Sequence, residues 1–382
     1  MPDNPFVYGE IVQRPSFVDR EVELQRLVAD LSSGQKVFLI SPRRYGKSSL
    51  VHQAFAVLAR RRIVTLEFTV SSFSSYVAFL EGYAKALVAL ESKTGPARSW
   101  LRDLFRSVKP EIRMEAKAAG SGLTVTFPAV RTPRDAARLA EEVFALPGRL
   151  ADRLGRRLVV ALDEFQGIAA FNGGSVEQAL RAAVQQQRQV GYVFAGSEPS
   201  LMEQMIGPRR PFYKAGPVMR LEKIPADVFA AFLDDRFRQT GLTPADGLGA
   251  AIVDLAGNLP YDVQRLAHET WDDAAARKRR RVGLEDLHAT LHRLLAEQDP
   301  LFEAVWQRLT LAQRSVLRGV VLEHGQGLLS ADTRERHRLG GPSSVQAALT
   351  ALQREDLVAR TREGTYVAVD SLMREWVARR TH

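Results

Sequence analysis

The sequence predicts an α/β fold with three layers, in which helices cover both faces of a parallel sheet. An all-helical segment and a small module of helices with a hairpin follow this core. Two continuous apolar runs, Val37–Ile40 and Leu158–Leu162, are the main basis, because such runs are typical of strands buried on both faces. Helical spacing of apolar residues follows each run. A chain of 382 residues is long enough for two or three domains.

Composition limits the classes of function. The net charge of +9 favours acidic partners, nucleic acid above all, although nucleotide binding alone also recruits basic residues. The absence of cysteine excludes disulfides and thiolate metal sites. Neither a secretory signal nor an apolar run long enough to cross a bilayer is visible, so we expect a cytoplasmic protein without a membrane partner.

The loop after the first apolar run has the pattern of a phosphate-binding P-loop. Gly46-Lys47-Ser48 opens a helix, where backbone N–H groups can hold an anion. We expect Lys47 to reach the terminal phosphates of ATP and Ser48 to ligate Mg²⁺. Ser41 stands where the pattern has its first glycine, and it fits only with a negative φ. The predicted nucleotide-binding residues of this loop are Ser41, Pro42, Arg43, Arg44, Tyr45, Gly46, Lys47, Ser48 and Ser49.

The second apolar run ends in two carboxylates, Asp163 and Glu164. Ligands of open α/β sheets bind at the carboxyl ends of the strands. We therefore expect Asp163 to hold Mg²⁺ and Glu164 to polarise the attacking water. Without the P-loop, a buried strand whose acidic end caps the following helix would be the better interpretation. The two segments together predict ATP binding.

Two further groups are candidates for sensing phosphate. A third apolar run, Gly191–Gly196, ends at Ser197, at the place of a γ-phosphate sensor in such a sheet. Arg209 and Arg210 follow a short helix, and an arginine there could reach phosphate in its own subunit or across an interface. For either arginine alone, a solvated turn is the alternative.

A β-hairpin is predicted at about residues 110–128. Glu111–Lys117 and Leu123–Phe127 alternate polar and apolar residues, and Gly120–Gly122 lies between them. The hairpin is an insertion into the core or an addition to the edge of its sheet. It could contact DNA or a neighbouring subunit, but an edge of the sheet is the favoured interpretation.

The last 80 residues have the pattern of a winged helix-turn-helix. Capping-box patterns at Thr310–Gln313 and Ser343–Gln346 each open a helix, and two short strands joined by a tight turn follow. Twelve arginines and nine acidic residues from position 301 onwards give only a small positive balance. A protein-contact or autoinhibitory module is therefore an equal alternative to DNA binding. The candidate DNA contacts are Gln346, Thr350, Gln353, Arg354, Arg360 and Arg362.

With these segments in place, the chain resembles the archaeal-type ATPases, a branch of the STAND and AAA+ P-loop families. The matching stretches include Phe17–Glu21, Ser41–Leu50, Leu162–Gln166 and Gly257–Tyr261. The resemblance implies an AAA+-like core, a helical lid and a C-terminal winged helix. It also implies that Phe17 and Val18 lie beside adenine and that Pro260 lies in the lid near the nucleotide.

The predicted domains are a P-loop ATPase core at 1–222, a helical lid at 223–298 and a winged helix at 299–382. We expect a slow, Mg²⁺-dependent ATPase that binds ATP and ADP, with Lys47, Asp163, Glu164, Ser197 and Arg210 as its catalytic residues. Its nucleotide state would control double-stranded DNA binding by the winged helix. The alternative is an ADP-locked module with little turnover that binds a protein partner or self-associates through its core. The basic run at 277–281 is predicted to be the solvated end of a helix rather than a DNA contact.

Overall fold

The structure is a computed structural model that describes residues 3–11, 17–92, 105, 110–117, 120–128, 130–171, 175–361 and 363–380. The side chains of residues 91–92, 112–117 and 120–123 lie outside this description. The chain forms two compact units. Residues 20–222 form the first, and the described residues before Arg20 and after Glu222 form the second.

The first unit is built on a parallel sheet, as predicted, and this sheet has five strands. The order across the sheet is β2-β5-β6-β1-β7, and every neighbouring pair is parallel. All seven residues of β6 are buried, as expected for a strand covered on both faces. The strands of this unit are β1 (Lys36–Ile40), β2 (Val64–Thr69), β3 (Glu111–Lys117), β4 (Gly120–Thr126), β5 (Leu158–Asp163), β6 (Val190–Gly196) and β7 (Val218–Arg220).

Helices cover both faces of this sheet. Phe38 and Ile40 belong to the apolar cluster formed with the helices between β2 and β6, while Val37 and Leu39 are equally buried on the opposite face. On that face, a Cβ added to Gly191 would lie 2.7 Å from the carbonyl oxygen of Leu31 in α1, so the helix packs closely on β6. The helices are α1 (Glu21–Ser32), α2 (Lys47–Arg60), α3 (Tyr76–Ser92), α4 (Pro133–Leu154), α5 (Ser175–Gln186) and α6 (Pro199–Ile206).

The predicted hairpin is present but differs in two respects. Strands β3 and β4 form a separate two-stranded antiparallel sheet, so they are an insertion and not an addition to the sheet edge. Pairing continues to Lys117 opposite Gly120, so the glycines at 120–122 belong to β4 and not to the turn. The residue directly after β4 packs into the unit. Phe127 is buried, and its N–H donates to Glu81 Oε1 of α3 (2.9 Å).

The second unit is mostly helical. Four helices from residue 226 to 308 surround Phe237, Ile252, Val263 and Leu291, each no more than 1% exposed. The helices are α7 (Ala226–Gln239), α8 (Leu248–Leu255), α9 (Pro260–Ala276), α10 (Leu284–Arg308), α11 (Leu311–Leu322), α12 (Ala331–Arg336), α13 (Pro342–Arg354) and α14 (Ser371–Arg379). The strands are β8 (Thr243–Pro244), β9 (Arg281–Val282), β10 (Val358–Arg360) and β11 (Tyr366–Ala368).

Helices α11 to α13 with the β10–β11 hairpin form the predicted winged helix. Thr310 caps α11, and the capping box with Gln313 is present. The second predicted capping box is wrong, because α13 already begins at Pro342 with Gly341 as its N-cap. Proline is well suited to the first helical position, and this moves Ser343 inside the first turn.

The N-terminal segment belongs to the second unit, whereas the sequence analysis assigned it to the core. Asn4 Nδ2 donates to Asp272 Oδ1 (2.8 Å) in α9, and Phe6 is 1% exposed and packs on Phe237. Tyr8 Oη donates to Glu269 Oε1 (2.6 Å). An apolar ring and two polar groups therefore fix this segment to the helices that follow the core.

The division into three domains stays a prediction. The boundary between the two units lies between Glu222 and Lys223. The proposed boundary at 298/299 falls within α10, which runs without interruption from Leu284 to Arg308. Within the described residues, no helix combines the length and apolar character needed to cross a membrane.

Candidate nucleotide site

The loop between β1 and α2 has the backbone of an anion-binding turn. Gly46 is the N-cap of α2 with a φ of 86°, and Arg44 has a φ of 68°. Both lie in the left-handed region, which glycine adopts without penalty. Ser41 is not among the described residues with positive φ. Serine can therefore stand at this position in place of the first glycine of the P-loop pattern. Its N–H donates to the carbonyl oxygen of Gly196 at the end of β6 (3.2 Å).

Lys47 and Asp163 converge at this edge of the sheet. Lys47 Nζ lies 2.9 Å from Asp163 Oδ1 and 3.4 Å from Glu164 Oε1. The Lys47 side chain is only 8% exposed, so it is a nearly buried cation between two carboxylates. Ser48 follows it in the first turn of α2 and is half-buried. The arrangement concentrates a cation, two carboxylates and a hydroxyl at one helix N-terminus.

Glu164 is held from three sides. Its Oε2 accepts hydrogen bonds from Ser197 Oγ (2.6 Å) and from Gln166 Nε2 (2.5 Å), while Oε1 faces Lys47. Burial alone would raise the pKa of Glu164. The hydrogen bond from Ser197 and the charge of Lys47 outweigh burial and keep the pKa below its usual value. Glu164 therefore stays a carboxylate at neutral pH and can act as an acceptor.

The residues of this loop fit a triphosphate with Mg²⁺. Ser41 Oγ is buried and has no hydrogen-bond partner among the described residues, so the loop contains an orphaned polar atom. No described cluster of three or more His, Asp or Glu side chains could hold a metal by itself. This agrees with Mg²⁺ chemistry in which one or two side chains and substrate phosphates share the ion.

The remaining loop residues differ in exposure. Arg43 and Arg44 are exposed, Pro42 is half-buried and Ser49 is buried. Tyr45 is half-buried, and burial together with the nearby charge of Glu222 raises the pKa of its hydroxyl. The two arginines can therefore approach a ligand from solvent, and contact of these loop residues with a nucleotide stays a prediction.

Arg210 pairs away from the P-loop. Its Nη2 lies 3.0 Å from Glu177 Oε1 in α5, and the Glu177 side chain is 1% exposed. Burial raises the pKa of Glu177, which Arg210 opposes. The Arg210 side chain itself is 43% exposed. Arg209 is exposed with a φ of 67°. A role in sensing phosphate stays a prediction for both residues.

The residues that the resemblance assigned to adenine and the lid belong to the second unit. Phe17 is half-buried, and Val18 packs against the apolar cluster of the helices after residue 223. Pro260 is the first residue of α9 and is half-buried. Their contact with a nucleotide stays a prediction.

The outer face of α13 carries the candidate DNA contacts. Val345, Leu349 and Leu352 face the core of the unit, with no measurable exposed fraction. Because of this helical phase, the predicted base-reading residues of α13 all lie on its exposed side. Arg360, at the end of β10, is also exposed, and its guanidinium lies over the ring of Tyr366. The candidate contacts on α13 are Gln346, Thr350, Gln353 and Arg354, and all four are exposed. Arg362 lies outside the described residues.

One residue beside the predicted catalytic carboxylate, Gln166, was not predicted to belong to the site. This residue is buried, with 8% exposure, and touches Glu164 directly. The sequence contained one indication of this role, namely a polar residue two positions after the predicted catalytic carboxylate, Glu164. The direction of a buried amide depends on tertiary neighbours, and spacing alone does not give it.

Comparison with known proteins agrees with the fold. Residues 300–379 match the family model of a probable winged helix domain. A Walker-type ATPase of Pyrococcus abyssi is 16% identical with a TM-score of 0.65, and 98% of this chain and 99% of that chain are covered. The fold is that of a Walker-type ATPase with a C-terminal winged helix.

Two ORC proteins of Aeropyrum pernix share this fold. The ORC1 protein of Aeropyrum pernix, solved in complex with DNA, is 14% identical with a TM-score of 0.52, with 95% of this chain and 93% of that chain covered. The ORC2 protein of Aeropyrum pernix in its ADP form is 14% identical with a TM-score of 0.52, with 98% and 96% covered. No curated protein sequence matches the chain. At these identities the similarity is one of fold.

Proposed function

We propose that the protein binds and hydrolyses ATP and that its nucleotide state controls DNA binding by the winged helix. The observation that supports this most strongly is the convergence of Lys47 with Asp163 and Glu164 at the N-terminus of α2. A nearly buried lysine next to two carboxylates at a helix N-terminus matches the needs of a phosphate site better than those of a structural core.

Each residue has a defined role in this proposal. Backbone N–H groups of the 41–48 loop would hold the phosphates. Lys47 would then pair with the phosphates instead of with the carboxylates of Asp163 and Glu164. Ser48 and Asp163 would hold Mg²⁺, which neutralises phosphate charge when bound. Glu164 would accept a proton from the attacking water. Ser197, which hydrogen-bonds Glu164, would report the state of the terminal phosphate.

The nucleotide state is proposed to control the binding of duplex DNA by the winged helix. Two features support it: the probable winged helix at 300–379, and the exposed face of α13, which carries no acidic side chain from Gln346 to Arg354. The ORC1 protein with the same fold was solved in complex with DNA. Gln353 and Arg354 would contact bases or phosphates at the end of this face.

Steady-state phosphate release tests the hydrolysis. Wild-type protein with Mg²⁺ should release phosphate from ATP, and Lys47→Ala should reduce release to the background rate. Glu164→Gln should lower phosphate release by roughly a hundredfold, to a rate that single-turnover measurements still resolve, and keep nucleotide affinity, because its side chain is proposed to act on water and not on phosphate. Turnover that survives Lys47→Ala would contradict the proposal.

The ADP-locked alternative makes a different prediction for the same protein. A protein locked by ADP would carry stoichiometric nucleotide after purification and release little phosphate. Nucleotide content is measured by chromatography of the denatured protein. Bound ADP without turnover, together with no DNA affinity, would favour a protein-binding module over the switch.

A further inference from the structure

We propose that Gln166 is a positioning residue that fixes Glu164 so that its Oε1 atom, and not Oε2, accepts the proton of the attacking water. This inference rests on the proposed ATPase function and deepens it by adding a residue to the same site. It follows from four contacts around the Gln166 side chain and the Glu164 carboxylate.

The orientation of the Gln166 amide is determined by two carboxylates. Its Nε2 lies 2.5 Å from Glu164 Oε2 and 3.3 Å from Glu198 Oε1. An amide nitrogen carries two N–H donors, whereas the amide oxygen only accepts. A flipped amide would bring its oxygen against two negatively charged acceptors, so only one orientation fits.

Strand β6 leaves room for this side chain. Gln166 is 8% exposed, and its Oε1 has no hydrogen-bond partner among the described residues. A Cβ added to Gly196, at the end of β6, would lie 2.7 Å from that oxygen. Glycine at this position therefore allows the buried amide to reach Glu164.

The two oxygens of Glu164 are left in different states. Oε2 accepts from both Ser197 (2.6 Å) and Gln166, whereas Oε1 faces the ammonium of Lys47 at 3.4 Å. Two short donors occupy Oε2, so Oε1 is the oxygen with free acceptor capacity once Lys47 turns to phosphate. The backbone of Glu164 has a φ of 50°, which a non-glycine residue keeps only when its surroundings determine it.

The proposed step balances with these atoms. The oxygen of water bonds to the γ-phosphorus of ATP, the bond from that phosphorus to the bridging oxygen breaks, and a proton of water passes to Glu164 Oε1. The products are ADP and phosphate. Gln166 touches neither water nor phosphate in this scheme, and its effect on the rate acts through Glu164.

The primary test compares Gln166→Met with wild type. Methionine keeps the length of the side chain and removes the donor. We expect kcat for ATP to fall by about tenfold, while KM and the affinity for ADP stay within about twofold, since only the orientation of the base changes. Gln189→Met is the matched control, because it makes the same substitution at an exposed glutamine whose Nε2 donates to Asp152 Oδ1 (3.2 Å), and it should leave kcat unchanged.

Two further variants separate positioning from folding. Gln166→Glu keeps the size of the side chain and replaces the donor with a third carboxylate, so it should reduce kcat more than Gln166→Met. Combined with Glu164→Gln, Gln166→Met should cause no additional loss, because the residue through which it acts is already removed. A crystal structure of Gln166→Met should show the Glu164 side chain released from its bond to Ser197.

Several outcomes would overturn the inference. Unchanged kcat in folded Gln166→Met, equal losses of kcat and ADP affinity, or additive losses in the double variant would each exclude a positioning role. With normal wild-type turnover, these results contradict this inference alone. A wild-type protein that binds ADP and releases no phosphate would overturn the proposed hydrolysis, and this inference with it.

Discussion

The ammonium of Lys47 lies 2.9 Å from the Oδ1 atom of Asp163, although their strands, β1 and β5, are separated by β6. Because β1 and β5 lie two strand spacings apart, about 10 Å, the start of α2 must bring Lys47 across the edge of the sheet toward β5. Ser197, directly after β6, lies between the two strands and bonds Glu164. The P-loop, the acidic strand and the predicted sensor thus meet at one edge.

This ion pair should contribute measurably to stability. Asp163→Asn leaves Lys47 nearly buried with the more distant Glu164 as its remaining anion, and we expect a loss of about 2 kcal/mol in the free energy of unfolding. Chemical denaturation without nucleotide measures it. Glu203→Gln breaks the Arg220–Glu203 pair (3.2 Å), in which both side chains are more than a third exposed, and is the control. Its expected cost is at most about 0.5 kcal/mol, and equal costs would contradict the buried pair.

Gly46→Ala should impair nucleotide binding without a steric clash. No atom lies within 4 Å of the added Cβ, but the φ of 86° is unfavourable for alanine by about 1–2 kcal/mol. The loop would relax away from the geometry that holds phosphates, so ADP affinity should fall by about tenfold. Gly155→Ala has the same steric freedom and a φ of 59° at the end of α4. It should reduce stability and leave ADP affinity unchanged; a loss of affinity in both variants would show a general effect.

The contact of Tyr8 with α9 has a spectroscopic signature. The hydrogen bond to Glu269, together with burial, raises the pKa of Tyr8 to about 12. The folded protein therefore favours the neutral phenol, and this contribution to stability is complete below the unfolded pKa of about 10 and lost as pH rises through about 12. Absorbance titration of wild type and Tyr8→Phe should isolate one tyrosine that ionises near pH 12. Tyr213→Phe, at an exposed residue, is the control; a difference curve for Tyr8 centred near pH 10 would contradict the contact.

DNA binding by the winged helix should depend on salt in a defined way. If Arg354 contacts phosphate, Arg354→Ala should weaken binding of a random-sequence duplex and reduce the slope of log affinity against log salt by about 0.9. Arg277→Ala removes an exposed charge after α9 and tests the basic run as the alternative surface. An effect of Arg277→Ala without one of Arg354→Ala would move the interface away from α13.

The sequence predicted four of the five strands of the parallel sheet and the polar residues at the ends of two of them, because that information is local and periodic. Asp163 and Ser197 each follow a continuous apolar run, and parallel strands bring such ends to one edge. Predictions from local patterns were wrong where a neighbouring residue or a strand pairing favoured a different structure. Pro342 displaced the capping box expected at Ser343, and pairing of β3 with β4 drew Gly120 into a strand. The amide of Gln166 and the packing of Phe6 on Phe237 depend on tertiary contacts that no spacing encodes.

Calorimetric titration with ATP and Mg²⁺ measures directly whether the 41–48 loop binds nucleotide. Wild-type protein and Lys47→Ala are compared at the same concentration, after bound nucleotide has been removed and the folding of both has been checked by circular dichroism. We expect one binding site in wild type and a loss of affinity of at least about a hundredfold in Lys47→Ala, because the cation that faces the phosphates is gone. Equal affinity in the two proteins would contradict a phosphate site at the 41–48 loop.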